Sequence, residues 1–73
     1  MILSKAENNK FYVVKKIVAK ETDKRKLYKL GVYLKQKILL VTKIAGGGVI
    51  ISVEGADMII GKNVADKIWV QLC

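Results

Sequence analysis

The chain of 73 residues has no histidine, no proline and a single cysteine, Cys73. Without histidine, the most common general base and the most common imidazole metal ligand are both missing. One cysteine permits neither an intrachain disulfide nor a thiolate cluster, and such usage fits a reducing compartment. Aromatic residues are also few: Phe11, Tyr12, Tyr28, Tyr33 and Trp69. A core built mainly by aliphatic packing is therefore expected. No apolar run approaches the roughly 18 to 20 residues that span a bilayer, and Met1-Ile2-Leu3-Ser4-Lys5 lacks the apolar stretch of a signal peptide. A soluble, cytoplasmic protein is the expectation.

Chemistry of the usual kinds is excluded by the same shortages. Ser4, Ser52 and Cys73 have no base to activate them. Glu54 and Asp57 are the nearest approach to a carboxylate pair, and they flank a turn at Gly55. Iron sites favour His, Cys or clustered carboxylates. The chain is accordingly read as a non-enzymatic binding protein with no metal site and no cofactor. Gly46-Gly47-Gly48 is followed by a β-rich run and lacks a Gly-Lys-Ser/Thr sequence, so it reads as a hairpin turn and not as a phosphate cradle.

What the chain does have is positive charge. Fourteen Lys and Arg against six Asp and Glu give a net charge of +8, with Arg25 the only arginine. Nucleic acid, anionic lipid and an acidic protein face are the partner classes that such a potential attracts. The competing reading is plain solvation of lysines spread along the chain. Hydrophobic residues at 52% and charged residues at 27% are globular proportions. A chain this short is one domain, residues 1–73, burying only about 60% of its unfolded surface.

The order of elements follows from residue patterning. Val49 to Val53, Met58 to Ile60 and Ile68 to Leu72 are short and rich in Val and Ile, which favours strands. Gly47, Gly48 and Gly55 mark the turns around the first of them. Asn63 is the expected N-cap of about one helical turn before Ile68. Upstream, Asn9 is expected in a left-handed turn. The run Phe11 to Ala19 mixes apolar and basic residues without strict alternation, which predicts a bulge or an edge turned to solvent. Residues 20–31 form the helix candidate, with Thr22 as cap, Asp23 at its positive end and Gly31 as left-handed C-cap. The continuous run Ile38 to Val41 predicts burial on both faces or a bend. Five strands, one short helix and a further helical turn predict a mainly β fold, a small SH3-like barrel, closed or half-open.

At this level the sequence resembles the FeoA family. Leu3-Ser4, the turn at Asn9, Val14, Ile17, Ile38 and Leu40 fall at family-like positions. Leu27-Tyr28-Lys29-Leu30-Gly31-Val32 is similar to the family's helix end, Leu-x-x-Leu-Gly-Ile. Gly55, Met58, Ile60, Ala65, Ile68 and Val70 match Gly-x-x-Ile-Ala-Leu-x-x-x-x-Ala-x-x-Ile-x-Val without a gap. Three departures stand out: Leu34-Lys35 replaces a Pro-Gly turn, Asn9 replaces a glycine, and Gly61 stands where a charge is commoner. At Leu34-Lys35 a different local turn is expected.

The resemblance implies a non-enzymatic accessory of ferrous iron transport acting on the cytoplasmic side of the permease FeoB, and a regulatory mechanism, in which binding biases the transporter's conformational equilibrium, is the expectation. It places the protein in the cytoplasm, with peripheral residence at the inner membrane face compatible with its charge. Self-association is left open. The candidate protein-binding residues are Lys24, Arg25, Leu27, Tyr28, Leu30, Gly31 and Tyr33, with Leu27 and Leu30 alternatively sealing the barrel. An aromatic with a polar tip makes a good interface anchor, so Tyr28 and Tyr33 are the stronger surface candidates. The alternative function is nucleic-acid binding, in which lysines would contact phosphate and tyrosines would stack on bases.

Overall fold

The computed structural model describes residues 1–73. Five strands, β1 (Lys10–Ile17), β2 (Lys37–Lys43), β3 (Val49–Val53), β4 (Ala56–Ile60) and β5 (Ile68–Leu72), form one antiparallel sheet in the order β4-β3-β2-β1-β5. Helix α1 (Glu21–Lys29) lies between β1 and β2, and a single turn, α2 (Lys62–Ala65), precedes β5. The fold is mainly β and SH3-like, as expected. It takes the half-open form, because no ladder joins β4 to β5. The free flank of β5 is instead met by the chain start: Val70 N–H donates to Met1 O at 2.8 Å, and Ile2 bridges Trp69.

Alternation decides which side chains go inside. In β3 the buried residues are Val49, Ile51 and Val53, and in β2 they are Ile38 and Leu40. The expectation of two-sided burial for Ile38 to Val41 is corrected here: Leu39 and Val41 are only half-buried. The expected bend is present as a register shift between Leu40 and Thr42. The bulge expected in β1 lies between Val14 and Lys16 against β5. Over Tyr12 and Val13 β1 is interior to the sheet, whereas Lys15–Ile17 have a strand on one flank only, so bulge and open edge are both present.

Aliphatic residues dominate the core, with one aromatic exception. Tyr12 is 1% exposed. Its hydroxyl accepts from Glu7 N–H at 2.9 Å and donates to Glu7 O at 3.4 Å, so the buried polar atom is satisfied.

Both helical caps differ from the expected ones. Lys20 holds the N-cap position of α1, so Thr22 lies inside the first turn, and Gly61 holds that of α2, so Asn63 lies inside it. Neither cap residue makes a side-chain hydrogen bond. Backbone carbonyls start both helices instead: Lys24 N–H donates to Lys20 O, and Ala65 N–H to Gly61 O, each at 2.9 Å.

The C-terminus of α1 is as predicted. Gly31 takes φ +93°. Val32 N–H donates to Leu27 O at 2.8 Å and Gly31 N–H to Tyr28 O at 3.0 Å, the paired bonds of a Schellman motif. The hydrophobic contact that accompanies such a motif is supplied by Leu27 and Val32, both buried.

Candidate functional site

The site grows out of a change along β1. From Lys10 to Val13 the strand is paired to β2, ending at Val13 opposite Lys37. Two further backbone bonds extend that flank, Val14 N–H to Gln36 O at 3.0 Å and Lys35 N–H to Val14 O at 2.8 Å. Beyond them, Lys15, Lys16 and Ile17 have β5 on one side and no strand on the other.

The open flank is one wall of a groove of about 550 Å³. Lys24, Arg25, Tyr28 and Lys29 on α1 form the opposite wall, and Val32, Tyr33 and Leu34 close one end. Their placement follows from local folding. On α1, Lys24, Arg25, Tyr28 and Lys29 recur at helical spacing, so they share one face. The Schellman turn then reverses the chain and brings Tyr33 beside Tyr28, with ring centroids 5.2 Å apart and planes tilted by 43°.

Electrostatically the groove is one-sided. Its charged residues are Lys15, Lys16, Lys24, Arg25 and Lys29, with no carboxylate among the lining side chains. Glu21 approaches Lys24 at 4.0 Å, the limit of an exposed ion pair. Lys16 lies over the ring of Trp69, 5.2 Å from its centroid, and so links the groove to a third exposed aromatic beside Tyr28 and Tyr33. The apolar lining residues are Ile17, Tyr28, Val32, Tyr33 and Leu34, of which Val32 is fully buried and Tyr28 is 66% exposed.

Of the candidate residues named from sequence, Lys24, Arg25, Tyr28 and Tyr33 meet in this groove. Leu27 does not present a surface, because it is buried in the core and seals it. Leu30 is half-exposed on another side of α1, in a hollow of about 190 Å³ with Ile59 and Val64. Gly31 acts as the cap between the two. Sequence reasoning missed Lys15, Lys16, Ile17 and Leu34. The mixed apolar and basic pattern of β1 is the only signal for Lys15, Lys16 and Ile17, and Leu34 has none.

The turn residues fall into two kinds. Asn9 at φ 60°, Gly47 at φ 98° and Gly55 at φ 86° are left-handed as expected, and Glu54 at φ 52° completes a two-residue type I′ hairpin with Gly55. Gly48 is not left-handed; it is small for lack of room, since an added Cβ would stand 3.1 Å from Ile60 O. Lys35 supplies a correction. A β-turn closes there with Gln36 N–H to Tyr33 O at 3.1 Å, and Lys35 itself takes φ 72°, the conformation a glycine would adopt. Leu34-Lys35 thus keeps a glycine-type turn without the glycine.

Glu54 and Asp57 sit in different local settings. Glu54 lies in the turn, reached by Gln36 Nε2 at 3.4 Å, while Asp57 pairs with Ser52 in the β3–β4 ladder. No three His, Cys, Asp or Glu side chains gather anywhere in the molecule. No helix is long and apolar enough to cross a membrane.

Comparison with solved structures finds a crystal structure of the iron uptake regulatory protein FeoA, with TM-score 0.91 and 26% identity, covering 100% of this chain and 97% of that one. The solution structure of FeoA from Chlorobium tepidum superposes with TM-score 0.88 at 22% identity, covering 99% of this chain and 70% of that one. The manganese regulator SloR also matches in fold, with TM-score 0.88 at 15% identity, and there the likeness covers 100% of this chain but 34% of the regulator. Comparison with curated proteins gives no match. The FeoA domain model matches residues 1–72, and with fold, helix end and C-terminal third all in agreement, the chain belongs to the FeoA family.

Proposed function

We propose that this protein is a non-enzymatic accessory of ferrous iron transport that binds the cytoplasmic region of a FeoB-type permease through the groove between α1 and β1. The observation that carries the reading is the groove itself. It sets exposed Tyr28 and Leu34 beside five cations, and a polar-tipped aromatic framed by charge makes an interface anchor. Membership of the FeoA family supplies the transport context.

The mechanism is regulatory. Binding shifts the permease between conformational states only to the extent that the groove holds one state more tightly than the other. The net charge of +8 speeds encounter with an acidic partner or with the anionic inner membrane face, an effect that salt weakens.

The test is affinity capture with the tagged protein from solubilised membranes of its host, washed at low and then near-physiological salt. Recovery of a GTP-binding permease that survives the wash, and its loss with Tyr28→Ala, is the expected outcome. Recovery of RNA or ribosomal proteins alone, lost steeply with salt, would move the function to nucleic-acid binding.

A further inference from the structure

We infer that the occupant of the groove is an extended, acidic segment of a partner protein, added as a short strand along the open flank of Lys15–Ile17. The inference rests on the protein-binding reading above and specifies the chemistry that the partner must present.

Charge is the first argument. Every ionisable group lining the groove, apart from the two tyrosines, is cationic: Lys15, Lys16, Lys24, Arg25 and Lys29. Only Lys24 has a carboxylate within 4.0 Å. Arg25 makes no ion pair or side-chain hydrogen bond within the chain, so its planar fork is free for bidentate capture of a carboxylate.

Backbone geometry is the second argument, and it is independent of charge. The β2 ladder stops at Val13, and the Lys35 turn takes the last two bonds at Val14. Lys15–Ile17 therefore continue as strand with one flank unaccompanied, and that flank lines the groove. The sheet's other free flanks are different. The chain start covers β5 at Ile2 and Val70, and β4 carries Asp57 and no cation. An added strand alternates its side chains, so carboxylates on one side of it reach Arg25 and the lysines while apolar residues on the other meet Ile17, Tyr28 and Leu34. A membrane surface or a nucleic acid would satisfy the cations but leave the strand flank unused.

The test uses the full-length, isotope-labelled protein and a capped synthetic peptide alternating Glu with Val and Phe, followed by amide chemical shifts. Three comparison ligands accompany it: the same peptide with Lys for Glu, an N-methylated form that cannot pair as a strand, and vesicles of phosphatidylglycerol. Expected are shifts confined to Lys15–Ile17, α1 and Val32–Leu34, saturating at or below about 1 mM peptide. Arg25→Glu should weaken binding about tenfold with the rest of the spectrum unchanged. N-methylation should weaken it at least as much, and the lysine peptide should not bind.

Equal binding of the N-methylated or the lysine peptide, or the same shifts at higher affinity with vesicles, would overturn the inference. No saturation at about 1 mM would also overturn it. Capture of the permease that persists while the peptide fails would reject the acidic segment alone. Peptide binding in the groove without permease capture would reject the permease and retain the groove's chemistry.

Discussion

The two halves of β1 make opposite use of similar residues. Over Tyr12–Val14 the strand has neighbours on both flanks, and its tyrosine, Tyr12, is buried with its hydroxyl satisfied by Glu7. Over Lys15–Ile17 one flank is open, and the tyrosines facing it, Tyr28 and Tyr33, stand at the surface among cations. What separates the halves is a bulge on one flank and a turn on the other, at Val14/Lys16 and Lys35. A small sheet can thus hold a rigid core and an open, cation-lined groove on one strand, because the bulge re-aims side chains and the turn ends the ladder.

The largest expected effect tests this contrast directly. Tyr12→Ala should cost about 3–5 kcal/mol in urea denaturation, the range for removing a large buried aromatic. Tyr28→Ala should stay within about 0.5 kcal/mol of the parent, as exposed substitutions do, while abolishing capture of the partner. A comparable loss of stability from both would erase the distinction between the halves.

Gly31 joins α1 to the loop that ends the groove. It has φ +93°, and an added Cβ would meet Val53 Cγ1 at 3.1 Å. Gly31→Ala should therefore destabilise by about 1–2 kcal/mol, from backbone strain together with crowding of a core valine. Thermal unfolding measures it. A change near zero would mean that the helix end has room to shift, and the groove's geometry with it.

Much of this architecture is legible in the residues, and the limits have physical causes. The strands Val49–Val53 and Ile68–Leu72 coincide with their apolar runs, because glycines or a polar loop border them and their burial alternates. Gly31 is legible because a left-handed residue after Leu27 and Leu30 has few substitutes. Thr22 and Asn63 mislead: side-chain capping is a preference of residue type, whereas backbone approach fixes where each helix begins, here at Lys20 and Gly61. Half of the groove is legible as a helix face. The other half, Lys15 to Ile17, comes to it from the preceding strand, and no local pattern encodes that juxtaposition.

Lys35 marks the boundary between the halves of β1, since its N–H donates to Val14 O. A lysine at φ 72° carries strain that glycine avoids. Part of the gain is offset by the greater freedom of glycine in the unfolded chain. Lys35→Gly is expected to raise stability by about 0.5–1 kcal/mol, with the ladder still ending at Val14. Amide exchange at Val14 and Lys35 would show whether the boundary stays in place.

The smallest expected effect concerns the other flank of the open half. Asp66 follows α2, its carboxylate accepts from Lys62 Nζ at 2.7 Å and from the Ser4 hydroxyl, and these bonds tie α2 to the N-terminal turn. The adjoining Lys67 O accepts from Val18 N–H at 2.8 Å, just past the end of β1. The hydrogen bond from Lys62, followed by that from Ser4, holds the Asp66 carboxyl below the usual carboxylate range. A carboxyl with a lower pKa when folded binds fewer protons in the native state, so its contribution is complete above the unfolded value of about 4. It is lost as pH falls from there through the folded value. Asp66→Asn should therefore lower thermal stability slightly near neutrality and converge with the parent in acid. A difference of constant size across that range would mean that shape, and not charge, holds α2 to the N-terminal turn.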